Sequence, residues 1–78
     1  MKGNYINDIE FLDLGIFHKN YATAMDKEGW HHINKQGRAI YKERYAVVEP
    51  FYNGFALVTQ FDGQKIIIDE LGLKIVRV

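Results

Sequence analysis

The sequence predicts an all-β fold made of two tandem antiparallel hairpin, or meander, units of about 34 residues each. Short β-prone runs alternate with turn residues, and a set of aromatic, apolar and glycine positions recurs at a nearly constant spacing. Pro50, the only proline, falls between the two recurrences. We therefore expect one domain, residues 1–78, with unit one at about 11–41 and unit two at about 45–78.

The recurrence can be followed position by position. Residues Phe17, Tyr21, Ala22 and Gly29 return 34 positions later as Phe51, Phe55, Ala56 and Gly63, and Phe11 and Leu14 return as Tyr45 and Val48. Beyond these the spacing is 35, from Ile33, Asn34, Gly37 and Ile40 to Ile68, Asp69, Gly72 and Ile75. Unit two therefore holds one inserted residue between Gly63 and Ile68, which a hairpin loop accepts easily.

Unit two has the plainer strand pattern. A β-prone run at 55–60 is followed by the turn pair Asp62-Gly63 and by a second run at 64–69 that contains three consecutive isoleucines. A short turn ending at Gly72 precedes a closing strand at 73–78. Unit one repeats the scheme with strands at 21–25, 30–34 and 38–41 and with turns ending at Gly29 and Gly37.

The connector at 42–54 contains Pro50 and ends on the turn pair Asn53-Gly54. We expect at most one short helical turn near 41–48, because β-branched Val47 and Val48 and the following proline disfavour a longer helix. Residues 8–14 are expected to be extended. The positions whose residue type serves a turn are Gly29, Gly37, Asn53, Gly54, Asp62, Gly63 and Gly72.

Strand alternation places small and branched residues on one face of each hairpin: Ala22, Ala24 and Ile33 in unit one, and Ala56, Val58 and Ile68 in unit two. The opposite face carries aromatic and aliphatic residues among threonines. Both faces are therefore expected to be covered.

Composition excludes several classes of function. Ten basic and ten acidic residues are interleaved at zero net charge, whereas a nucleic-acid interface needs a basic stripe. The chain has no cysteine for disulfides or thiolate metal sites. With no signal peptide or apolar span visible, a cytoplasmic location is the default expectation, for a complete chain or for a fragment of a longer one.

The sequence gives no catalytic or metal-binding pattern. His31 and His32 are adjacent on a strand and point to opposite faces, and His18 lies in a turn, so we expect surface or half-buried histidines and no metal site. Asp69 occupies the position of Asn34, which indicates a side-chain acceptor that closes the turn. We therefore expect neither an enzyme nor a cofactor.

Two segments carry a resemblance to a known family. Residues 30–37, Trp-His-His-Ile-Asn-Lys-Gln-Gly, and residues 51–58, Phe-Tyr-Asn-Gly-Phe-Ala-Leu-Val, make the chain similar to bacterial WG-type β-hairpin repeats. The resemblance covers residues 17–78, with His31 at the family's glycine position and Lys65 at its tryptophan position. It implies a non-catalytic accessory module, often beside other domains in bacterial proteins.

We expect a module for protein interaction or scaffolding, either in a larger bacterial protein or in an oligomer. Repeat units bury their faces against neighbours, so two units favour a protein partner or self-association. The alternative is a carbohydrate or cell-wall ligand, stacked on aromatic rings near the junction of the units. The candidate stacking residues are Trp30, Tyr41, Tyr45 and Tyr52.

Overall fold

The computed structural model describes residues 4–6 and 9–77, and it confirms an all-β fold of tandem antiparallel hairpins. In chain order the strands are β1 (Asn4–Ile6), β2 (Ile9–Phe11), β3 (Asp13–Leu14), β4 (Ala22–Asp26), β5 (Gly29–Ile33), β6 (Val47–Val48), β7 (Phe55–Thr59), β8 (Lys65–Asp69) and β9 (Lys74–Arg77). Within these described ranges no helix is long and apolar enough to cross a membrane.

The strands form two larger sheets and one small hairpin. The first sheet contains β3, β4 and β5, the second sheet contains β6, β7, β8 and β9, and β1 pairs with β2. Every pairing is antiparallel between strands that follow one another in the chain. Each sheet is therefore a meander, which needs only short connections.

The two sheets share one hydrogen-bonding scheme. Their equivalent backbone pairs, 34 positions apart, are Leu14 with Ala24 and Val48 with Val58, and His18 with Tyr21 and Tyr52 with Phe55. The hairpin tips differ, because four residues (26–29) separate the pair Met25 and Trp30, whereas five (60–64) separate Thr59 and Lys65. The inserted residue of unit two thus lies in the hairpin tip.

A side-chain oxygen closes the turn after the second long strand of each unit. Asn34 Oδ1 accepts the backbone N–H groups of Gln36 and Arg38, both at 3.0 Å. Asp69 Oδ1 accepts those of Leu71 and Leu73 at 2.9 and 3.0 Å. The predicted role of this position as a turn acceptor is confirmed, and an amide and a carboxylate perform it equally.

Each sheet buries one face, called here its inner face, as the alternation predicts. The buried inner-face residues are Ala22, Ala24 and Ile33 in the first sheet, and Ala56, Val58, Ile66 and Ile68 in the second. They are covered by Ile6, Phe11 and Leu14 in the first cluster and by Ile40, Tyr45 and Val48 in the second, again 34 positions apart. The repeat therefore extends upstream to Ile6, beyond the predicted unit one.

The connector contains none of the helical turn that we allowed near 41–48. Tyr45 N–H donates to Trp30 O and Trp30 N–H donates to Tyr45 O, both at 2.8 Å, which holds this part of the connector against β5. Ala46 N–H then donates to Thr59 O, and β6 follows at once. Pairing with both sheets keeps the segment extended, and that outweighs the helix-favouring side chains of residues 42–44.

Candidate functional site

The outer face of the first sheet is covered by aromatic rings from the connector. The His32 ring lies on this face, with its centroid 4.2 Å from that of Phe51 and 5.7 Å from that of Tyr41. Tyr41 and Phe51 also belong to the buried cluster on the inner face of the second sheet. We call His32, Tyr41, Phe51 and the Glu49 carbonyl the joint, because they connect the two sheets.

Both ring nitrogens of His32 are engaged in the joint. Nε2 lies 2.8 Å from the Glu49 carbonyl oxygen, and Nδ1 lies 2.5 Å from Tyr41 Oη. A carbonyl oxygen can only accept, so Nε2 carries a hydrogen and neutral Nδ1 accepts from the Tyr41 hydroxyl. Burial lowers the pKa of His32 to about 4 and raises the pKa of Tyr41 above its ordinary value.

His31 points to the inner face and is also buried. Its ring centroid lies 6.2 Å from that of Phe11, and burial, followed by the positive charge of Arg44, lowers its pKa. Among the residues that the structure describes, the buried atoms His31 Nδ1 and Tyr45 Oη have no hydrogen-bond partner. Our expectation of surface or half-buried histidines is thus wrong for His31 and His32, because rings from the connector and from β2 cover both faces of β5.

Within the described part of the chain no three histidine, cysteine or carboxylate side chains come together in a way that could hold a metal ion. His31 and His32 lie on opposite faces of β5, and His18 is exposed at the turn before β4.

The carboxylate of Asp26 has a structural role at the first hairpin tip. Its Oδ1 accepts the Glu28 N–H at 2.9 Å, and its Oδ2 lies 3.1 Å from Arg44 Nε. Burial opposes the ionised form, but the Glu28 N–H and the Arg44 guanidinium outweigh it, so the pKa of Asp26 lies below its ordinary value. This ion pair ties the hairpin tip to the connector.

The four predicted stacking residues do not form one aromatic surface. Tyr41 and Tyr45 are buried in the second cluster, where they complete the core and can offer no ring face to a ligand. Trp30 is half-buried, with its backbone paired to Met25 and Tyr45, and only Tyr52 is largely exposed, at 76%. Sequence reasoning missed this because it could not place the connector between the sheets.

The predicted turn residues lie in turns or at their ends. Positive φ angles occur at Gly29, Gly37, Asn53, Gly54, Gly63 and Gly72, and Asp62 Oδ1 accepts the Gln64 N–H at 3.0 Å. Lys19, which is not among the predicted turn residues, has φ 60° at the position equivalent to Asn53, with φ 51°. A lysine gives no sequence signal for this conformation, although its place in the repeat does.

A shallow groove of about 560 Å³ separates two equivalent loops. Residues 16–18 line one wall and residues 50–52 line the other, with Gly15 and Thr23 at the floor. Tyr52 is the one member of the predicted stacking set at this groove. Its lining contains three aromatic residues, Phe17, Phe51 and Tyr52, and two polar side chains, His18 and Thr23.

The outer face of the second sheet contrasts with that of the first. Leu57, Ile67 and Val76 stand in register across β7, β8 and β9, and Phe55 begins β7 on the same face. Phe55 and Val76 are 48% and 50% exposed, and Leu57 and Ile67 are half-buried. We call this apolar row, about half exposed at Phe55 and Val76, the open face.

No family model, curated protein or solved structure matches the chain.

Proposed function

We propose that this chain is a non-catalytic β-repeat module that binds protein through the open face, in an interaction or scaffolding role. The observation that carries the proposal is the contrast between equivalent positions. His32 on the first sheet is fully covered by the connector, whereas its equivalent Ile67 on the second sheet lies on the open face. An exposed apolar sheet face of this kind is typical of an interaction surface.

The chemistry of the open face suits a protein partner. Its centre, Phe55, Leu57, Ile67 and Val76, is aromatic and aliphatic, while a charged residue flanks Ile67 two positions away on either side along β8. An apolar centre with a charged rim is typical of protein interfaces. Glycan sites instead combine exposed rings with several converging polar groups.

The contacts of the joint support a structural role for His32. His32 has both ring nitrogens bound to Tyr41 and Glu49, and its pKa of about 4 keeps it neutral near pH 7. A general acid or base needs a free nitrogen in reach of a substrate. We extend the proposal to the kind of protein: a bacterial module of the WG-repeat type, acting in the cytoplasm.

A photo-cross-linking experiment tests the proposal. The photoreactive residue p-benzoylphenylalanine is placed at position 55, on the open face, and in a second protein at position 61, an exposed phenylalanine on the second hairpin tip. After irradiation in the cells that naturally contain the protein, we expect a discrete protein adduct from position 55 and none from position 61. Mass spectrometry identifies the adduct.

Two results would contradict the proposal. Equal adducts from positions 55 and 61 would show unspecific contact, and no adduct from position 55 would leave the open face without a protein partner. Binding of cell-wall glycans that is lost in Tyr52→Ala would favour the carbohydrate alternative, because Tyr52 is an exposed tyrosine at the groove.

A further inference from the structure

The chain contains its own example of how an outer face is covered. Phe51 packs on the outer face of the first sheet, with its ring centroid 5.3 Å from that of Tyr21 and 4.2 Å from that of His32. The repeat assigns an equivalent to each residue: Phe17 to Phe51, Phe55 to Tyr21 and Ile67 to His32. Each residue in this contact between the units therefore has an equivalent in the other unit.

Both equivalents of this contact are left open at the two ends of the molecule. Phe51 is only 7% exposed, whereas Phe17 is 36% exposed and the neighbouring Ile16 is 92% exposed. At the other end Phe55 and Ile67 lie on the open face. The surface around Phe17 is therefore equivalent to the surface around Phe51, which covers the outer face of the first sheet.

We propose that the partner of the open face is a second copy of this chain, docked head to tail. Phe17 of one copy packs on Phe55 and Ile67 of the copy before it, and so repeats between molecules the contact that Phe51 makes within one. This inference rests on the proposed function and names its partner. The contact is heterologous, so each added copy leaves one free end of each kind, and the product is a stack rather than a closed dimer.

The repeat also indicates which strand is displaced when two copies dock. The isoleucines Ile6 and Ile40 each pack into the inner-face cluster that follows them in the chain, and Ile75, the next member of the series, is 48% exposed on β9. In a continuous stack, β9 of one copy takes the place that β1 occupies in the next. Docking therefore exchanges β1 for β9, with Ile75 replacing Ile6 against Phe11.

In a copy that has not docked, β1 occupies the place that β9 of another copy takes in the stack. β1 is bound through three residue pairs to β2 and through the side chain of Ile6. β9 offers Ile75 in place of Ile6, with the open face beside it. Replacing β1 by β9 keeps an isoleucine against Phe11 and adds the burial of the open face, which favours the stack as concentration rises.

Complementary variants test the head-to-tail arrangement by sedimentation velocity over a wide concentration range. Ile67→Glu places a charge on the open face, and Phe17→Glu places one at the opposite end. We expect the unmodified chain to form species larger than a dimer and each variant alone to lose at least about tenfold in self-affinity. Mixed together, the two variants retain one intact end each and should form a 1:1 complex that grows no further.

Circular dichroism shows whether each variant folds, and Phe55→Lys replaces Ile67→Glu if that variant does not. Undiminished self-association of Phe17→Glu would reveal a tail-to-tail contact and overturn the proposal. A monomer at every concentration would overturn it too. If that monomer still cross-links to another protein through position 55, the docking surface stands and only the second copy is excluded as its partner.

A third variant tests the strand exchange. Ile6→Ser weakens the hold of β1 without altering β9, so we expect it to strengthen self-association several-fold. A purely structural role of Ile6 predicts the opposite, since a less stable end would dock less well. Unchanged or weaker association of a folded Ile6→Ser protein would show that β1 stays in place.

Discussion

Acidification is expected to destabilise the protein through His32, well above the pH at which carboxylates titrate. The folded protein keeps this ring neutral down to a pKa of about 4, whereas an unfolded chain protonates it at the model value of 6.5. Between these values the unfolded state binds more protons, so the free energy of unfolding falls as the pH falls. The contribution is complete above pH 6.5 and is lost progressively from there to pH 4.

The size of the effect follows from the two pKa values. At about 1.36 kcal/mol per unit of pKa shift, His32 alone removes about 2 kcal/mol between pH 7 and pH 5 and about 3 kcal/mol by pH 4. A domain of 78 residues has a total stability of about 4–12 kcal/mol, so this loss is a large fraction of it. His31 contributes with the same sign, because its pKa is lowered as well.

Urea unfolding at pH 7, 6 and 5, followed by circular dichroism, measures the effect. We expect His32→Gln to be less stable than the original chain at pH 7 and to lose about 2 kcal/mol less on going to pH 5. The same change at the exposed His18 serves as the matched control. A full acid response in His32→Gln, or a His32 ring that titrates near pH 6.5 by NMR, would refute the reasoning.

Two further predictions concern turns and are read out by the same urea titrations at pH 7. At Gly72, with φ 83°, a Cβ would lie 2.5 Å from Tyr41 Cβ, whereas at Gly63, with φ 93°, it would meet nothing within 4 Å. Gly63→Ala should lower the free energy of unfolding by about 1–2 kcal/mol from backbone strain alone, and Gly72→Ala should lower it clearly more. Equal losses in the two variants would contradict the close contact. Asp69→Ala should lower the free energy of unfolding by about 1–3 kcal/mol, since two backbone N–H groups lose their acceptor. Asp69→Asn should lower it little, because Asn34 accepts the equivalent pair of N–H groups. Equal losses in the two variants would contradict the acceptor role.

Strand and turn positions could be predicted from the sequence because they depend on local chemistry. The pair Asp62-Gly63 and the three isoleucines from Ile66 to Ile68 specify a tip and a strand wherever the unit packs. The repeat added the rest, since each ambiguous segment of unit one has a clearer equivalent in unit two. The sequence also holds an occurrence that we missed: the Gly-x-x-Ile of 37–40 and 72–75 is present at 3–6 as well.

The candidate site could not be predicted because it depends on how the units stack. Nothing local to His32 or Tyr41 indicates burial, and both are common surface residues. Their burial follows from the path of the connector, which carries Tyr41, Tyr45 and Phe51 between the outer face of one sheet and the inner face of the next. Of the four stacking candidates, Tyr41 and Tyr45 lie in the buried cluster of the second sheet, whereas Trp30 is half-buried and Tyr52 is exposed.

The longer tip of the second hairpin has a consequence for the motions of the first. At Gly29, a Cβ would lie 2.8 Å from Phe61 Cζ and 2.9 Å from the Tyr45 carbonyl oxygen, so the Phe61 ring reaches across to the shorter tip and rests on its glycine. At Gly63 nothing approaches within 4 Å. The longer second tip therefore packs against the first tip through Phe61, whereas its own Gly63 has open space around it. Amide hydrogens at the first tip should exchange more slowly with solvent than those at the second.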